Sequence, residues 1–317
     1  MLFMLLLILV IVGTGLGLAV KTPVYPVQIR SVVSKMTAAC QKALEERCSR
    51  VEVELPPAVD WGVEMKKQSS SGAPSGTTGN AEKIKKSNRE AARLFTEMFS
   101  MLQTTTVVLF PTELEALEAR SAWSSFKGQV LSLEASSKPA KGYSKLRSRR
   151  FTAEEQEAVL LSSDGVYIPD GCEVLVVVGP RAKDYKQLRK ICVERLTDET
   201  CVINLNGRFE AVRASEGGLR GAEGAEEDKL KWYKDTFQNV FHYSPPALSD
   251  KALGARELLL YHEGPGAKWL LGEKVKKEGG VLGAIAKALE NPFETRGTWD
   301  AKPTAEEMAQ ALAITVA

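Results

Sequence analysis

A chain of 317 residues, 44% hydrophobic and 26% charged, has the composition of a globular protein, and its formal net charge of +2 by itself implies neither a nucleic-acid coat nor an acidic partner. Five cysteines without a CxxC pair exclude a disulfide framework and a zinc knuckle, and are expected as buried free thiols. Two histidines, His242 and His262, are too few for a histidine-rich metal site and leave few candidates for histidine-based catalysis.

Residues 1–20 carry no charge and almost no polarity, ending in Gly13, Gly15 and Gly17. A dinucleotide loop would continue to a third glycine and open a helix. Leu18 stands at that third position, and Pro23 and Pro26 block the helix. Residues 1–21 therefore read as a hydrophobic leader, either a signal peptide ending near Gly17-Leu18-Ala19 or a membrane anchor of about 20 residues.

Residues 22–317 read as a single α/β domain. Pro26 to Leu44 has helical apolar spacing, and "SRVEVELPP" (49–57) alternates Val51, Val53 and Leu55 with Glu52 and Glu54, predicting a half-exposed strand. Residues 66–80 are low in complexity and predict a flexible insertion. "SNREAARLFTEMFSML" (87–102) predicts a helix capped by Ser87 and Asn88, with Glu90 in capping-box position. A buried strand "TTTVVLFP", a helix from Thr112 to Trp123 and a strand "GQVLSLEA" follow. The stretch 138–150 holds six basic residues and no acid, but lacks the interleaved aromatics of a base-stacking surface, so no nucleic acid is expected as a partner.

The strongest unit is 172–207. Val174–Val178 is continuously apolar, Gly179-Pro180 breaks it, Asp184 to Leu196 is helical, and Cys201–Leu205 is a second apolar strand. Two such strands joined by a helix predict a parallel pair with a right-handed crossover, within a mixed, largely parallel sheet flanked by helices. Open α/β sheets bind ligands beyond the carboxyl ends of their strands. Gly179, Pro180, Arg181, Lys183 and Asp184 lie there, with Asn204, Asn206 and Arg208 at the end of the second strand, so these eight residues form a candidate anion or ligand site. The competing reading is an ordinary βα turn with a solvated Arg and Lys.

Residues 213–228 predict a second flexible insertion, followed by an amphipathic helix, a strand end at "NVFHYSPP", hairpin strands "RELLLYHE" and "KWLLGEKV", and a terminal helix opened by Pro303 and Thr304. No P-loop, GxSxG, HExxH or EF-hand pattern occurs, and no catalytic residue, metal or cofactor is assigned.

In order, the blocks "YPVQIRSVVSKMTAACQKALEERCSRVEVELPP", "SNREAARLFTEMF", "VVLFP", "GCEVLVVVGP", "VINLN", "FQNVFHYSPPAL" and "KPTAEEM" resemble a family of domains of unknown function from plastids and cyanobacteria. That family includes the Low PSII Accumulation (third type) assembly factor of photosystem II, and one member carries the domain beside an adenylate kinase. The resemblance implies a non-enzymatic binding or assembly factor in photosystem II biogenesis. Its setting would be the plastid stroma or thylakoid surface, its partner a photosystem assembly client, and membrane contact would come through residues 1–20. The secretory pathway or a membrane anchor is the alternative setting. The alternative function is a nucleotide- or phosphate-ester-binding enzyme using the loop Gly179–Asp184.

Overall fold

Nine strands form one sheet in the order β3-β2-β4-β5-β1-β6-β7-β8-β9 in this computed structural model. It describes residues 25–26, 28–61, 78–134, 168–207, 231–246, 248, 256–274 and 293–313. In chain order the elements are α1 (Ile29–Glu45), β1 (Arg50–Glu54), α2 (Thr78–Met98), a 3-10 turn Ser100–Thr105, β2 (Thr106–Phe110), α3 (Glu113–Ala122), β3 (Gln129–Ser132), β4 (Val174–Val178), α4 (Tyr185–Glu194), β5 (Cys201–Leu205), a helical run over 231–236, β6 (Gln238–Ser244), β7 (Leu258–His262), β8 (Trp269–Lys274), β9 (Phe293–Trp299) and α5 (Ala305–Ala311). The leader 1–21, the basic stretch 138–150, Arg208 and the insertion 213–228 lie outside the described residues.

β3, β2, β4, β5, β1 and β6 are mutually parallel, and β6, β7, β8 and β9 are antiparallel. The expected α/β architecture, mixed and largely parallel, is therefore what the chain adopts. β4 and β5 pair in parallel from Val174↔Cys201 to Val178↔Leu205.

Two apolar layers sandwich the sheet. On one face Met36 of α1, Phe95 of α2 and Ala116 of α3 pack on Val53, Val108, Val176, Ile203 and Phe241. On the other, Leu188 and Ile191 of α4 and Tyr233 and Phe237 pack on Leu109, Leu175, Val177 and Val202. All five residues of β4 are at most 1% exposed. Each such buried Val or Leu contributes about 1.5–3 kcal/mol relative to an exposed one. Beyond the parallel half, Met308 and Leu312 at the terminal helix close over Leu258, Leu260, Trp269 and Leu271. Thr304 caps that helix, its hydroxyl accepting from Glu307 N–H at 3.2 Å while the Glu307 carboxylate accepts from Thr304 N–H at 2.7 Å. No helix among the described residues is long and apolar enough to cross a membrane.

Three expectations need correction. α2 begins at Thr78, so Ser87 and Asn88 lie inside the helix and do not cap it, and residues 78–80 of the expected insertion are helical; residues 66–77 fall outside the described residues. The side chains of Ser87, Asn88 and Glu90 serve tertiary contacts instead. Ser87 Oγ accepts from Val59 N–H at 3.2 Å and from the Trp61 indole at 3.1 Å, and Glu90 accepts from Trp61 N–H at 2.7 Å. β1 is not half-exposed: Glu52 and Glu54 are each 8% exposed, because the second face of the sheet is covered too. β9 carries no apolar alternation, and its exposed edge position explains why.

Candidate functional site

The carboxyl edge of the parallel half holds the residues singled out by sequence. β2 leads into α3 on one face, while its neighbour β4 leads into α4 on the other, so their loops part and leave a crevice between them. Gly179 turns the chain there with φ +50°, and a Cβ on it would stand 3.0 Å from the Asn88 amide nitrogen. Its N–H donates to Leu205 carbonyl at 2.7 Å.

Arg181 lies across this crevice. Its Nη2 donates to Pro111 carbonyl at 2.9 Å, and its Nε to Asp184 Oδ2 at 2.9 Å. The same Asp184 oxygen accepts Arg181 N–H at 2.9 Å, and Asp184 is 6% exposed. Glu134, just past β3, stands 3.5 Å from Arg181 and 3.9 Å from Lys183. The positive charge of the loop is thus met by two carboxylates of the chain itself. Pro180 is buried beside them.

The two asparagines part company. Asn206 stays at the edge in the left-handed region, φ +56°, which Asn tolerates better than most residues. Its Oδ1 accepts Leu55 N–H at 2.6 Å and its Nδ2 donates to Asn88 Oδ1 at 2.7 Å, tying β5 to β1 and α2. Asn204 points away from that edge into the α4 face. The structure therefore brings Gly179, Pro180, Arg181, Lys183, Asp184 and Asn206 to one edge and sets Asn204 apart.

Asn204 opens a row of buried polar side chains that sequence reasoning missed. Glu52 has Asn204 and Asn239 as its Cα partners on the two flanking strands. Asn239 Nδ2 donates to Glu52 Oε2 at 3.4 Å, and the Asn204 amide donates to the Tyr233 hydroxyl. Burial, with the Glu52 carboxylate nearby, pushes the Tyr233 phenol well above its ordinary pKa. Two residues along, Glu54 faces His242, with Oε2 3.4 Å from Nδ1, and His242 pairs across to His262. Trp269 stacks on His262, centroids 4.5 Å apart and planes 5° from parallel. Burial lowers the pKa of His262. Among the described residues Asn204 Oδ1, Asn239 Oδ1 and His262 Nδ1 have no hydrogen-bond partner. Both histidines of the chain and two buried glutamates thus share one face of the sheet. The signal was present: acids at 52 and 54, and histidines in two later apolar strands, all in period-two positions.

This row can hold protons, but Glu54 and His242 are 8% and 3% exposed, so no described path takes a substrate to them. No cluster of three or more His, Cys, Asp or Glu among the described residues could hold a metal. All five cysteines are free, and burial raises Cys40 and Cys201 to about 12 and Cys172 and Cys192 to about 11, so these four stay protonated thiols at neutral pH.

A third feature lies on the outer side of α4. Tyr185, Lys186, Arg189 and Trp232 line an open depression of about 200 Å3. The Arg189 guanidinium stands over the Trp232 ring, 5.9 Å from its centroid.

No curated protein and no solved structure matches this chain. One family does, described as a domain of unknown function, DUF1995, over residues 26–310. That span runs from α1 into α5 and takes in the crevice, the polar row and the depression, and the chain belongs to the DUF1995 family.

Proposed function

We propose that this protein is a non-catalytic binding factor that assists photosystem II assembly in the plastid, in the stroma or against the thylakoid. The closed crevice carries the reading. The place where an open α/β sheet binds a small anion is filled by Arg181, held to Asp184 and to the Pro111 carbonyl. The resemblance of its ordered blocks to a photosystem II assembly factor supports the partner class. The client is a photosystem subunit or assembly intermediate, and residues 1–20 supply entry or membrane attachment.

The second reading, a nucleotide- or phosphate-ester-binding enzyme, requires Arg181 to leave Asp184 and stand free for the ligand. One pair of measurements separates the two. Photosystem II subunits co-purify with the tagged protein from plastids if the first reading holds. A nucleotide at 100 times its dissociation constant raises stability by about 2.7 kcal/mol if the second does. Absence of photosystem subunits overturns the proposal, and nucleotide stabilisation then supports the second reading.

A further inference from the structure

We infer that the depression between α4 and the helical run 231–236 docks an acidic segment of a partner protein through one aromatic side chain, which deepens the binding-factor reading and rests on it.

Charge carries the first step. The loop cations Arg181 and Lys183 face Asp184 and Glu134, and Lys42, Lys190 and Lys231 each stand within 4.0 Å of a carboxylate four residues on. Lys186 and Arg189 have no such contact, a property they share with Arg30 and Lys83, but they stand side by side on the rim of an aromatic hollow. Both are exposed, and neither has a carboxylate partner among the described residues. They lie three residues apart on α4, so they share a face, and Val193 continues that stripe one turn on at 65% exposure. Two neighbouring cations at the rim of one hollow are complementary to acids on a partner.

Geometry carries the second. Arg189 rests on the Trp232 face, which orders its guanidinium and leaves its N–H edge for a carboxylate. Tyr185 is 5% exposed and braced edge-on by Tyr233, centroids 5.7 Å apart, so one wall is rigid. Tyr, Trp and Arg around one hollow is the composition of interface hot spots. The volume of about 200 Å3 is below the roughly 300–1,000 Å3 of small-molecule pockets. It suits one aromatic ring with its charges at the rim, not a nucleotide.

The probe is a fluorescent peptide, Gly-Ser-Glu-Asp-Trp-Asp-Glu-Ser-Gly, titrated with the full chain and read by anisotropy. Saturable binding is expected, weakening when salt rises from about 50 mM to about 500 mM. Lys186→Glu with Arg189→Glu is expected to weaken it about tenfold or more, while Lys42→Glu on α1 leaves it unchanged. Peptides with Ser for Trp, or Lys for the acids, are expected to lose binding. Trp232→Ala is a further test, and the charge-reversal pair on the surface keeps the inference falsifiable should that variant unfold. No binding by the wild type, equal binding by the charge-reversal pair, or displacement by AMP overturns the inference. Photosystem II subunits that still co-purify with the charge-reversal variant would place the docking site elsewhere and leave the assembly reading standing. Their absence from the wild type would defeat that reading whatever the peptide does.

Discussion

β2 and β4 lie side by side with one polar side chain between them, Thr106, whose hydroxyl donates to Leu102 carbonyl at 2.7 Å. Three strands of the same sheet, β5, β1 and β6, are no less central, yet they bury Asn204, Glu52, Glu54 and His242. The first region buries apolar side chains almost exclusively. The second sets carboxylates, amides and an imidazole where solvent cannot reach them, and each such group is tolerated only while its partners stay in place. The contrast separates the part of the sheet that makes the fold stable from the part whose chemistry exceeds what stability needs.

The largest effect is expected in the packed region. Leu175→Ala should destabilise the protein by about 2–5 kcal/mol, read from the urea midpoint at constant m-value. A loss under about 1 kcal/mol would mean that β4 can collapse around the gap, and the contrast would fail.

In the polar region Asn204→Ala removes the amide that donates to the Tyr233 hydroxyl, which keeps its hydrogen bond to Glu52, and should cost about 1 kcal/mol. Combining it with Tyr233→Phe, which also takes the hydroxyl from the buried Glu52 carboxylate, should cost less than the sum of the two single changes, because Asn204, Tyr233 and Glu52 bond to one another as a group. A double variant as damaging as the sum of the two single ones would show that the row is not a paired network.

Acidity sharpens the contrast further. Burial lowers the pKa of His262 below its ordinary 6.5, so the unfolded chain binds its proton first. Stability should therefore fall as pH drops below 6.5, at no more than about 1.4 kcal/mol per pH unit, and level off once the folded-state pKa is passed. His262→Phe keeps the stack on Trp269 and should remove that slope from unfolding curves taken between pH 7 and pH 5. An unchanged slope assigns the acid sensitivity to other groups.

The smallest effect is expected at the surface. Lys183→Ala should shift stability by no more than about 0.5 kcal/mol, because its contact with Glu134 is 3.9 Å long and solvent-exposed. A larger shift in thermal unfolding would show that the crevice depends on that lysine.

Much of the fold was legible in the sequence. Val174–Val178 and Cys201–Leu205 read as buried parallel strands because a strand covered on both faces needs no alternation, and the helix between them has a clear apolar stripe. The hairpin of β7 and β8 and the Thr304 cap were legible for equally local reasons. Glu52 and Glu54 misled because alternation reports chemical type, not exposure; what buries them is a second layer contributed by residues nearly two hundred positions away. Ser87 and Asn88 misled because cap residues also serve as long-range brackets inside a helix. The strand order made the loops at this edge legible, but the bonds of Arg181 involve Pro111 and Glu134, which no local pattern connects to it. The depression on α4 was illegible for the same reason, since Trp232 meets Arg189 only in three dimensions.

β1 sits between β5 and β6, so the strand synthesised first waits through the longest stretch of chain for its neighbours. Its end is bonded to Asn206, 151 positions further on. A ribosome adding about 5–20 residues per second needs roughly 8–30 s to cover that distance. For that interval Val51, Val53 and Leu55 leave the ribosome with both hydrogen-bonding edges unfilled. The middle of the finished sheet is thus a vacancy in the growing one. Nascent chains halted before residue 201 should be the species most prone to pair with one another, and most dependent on chaperones.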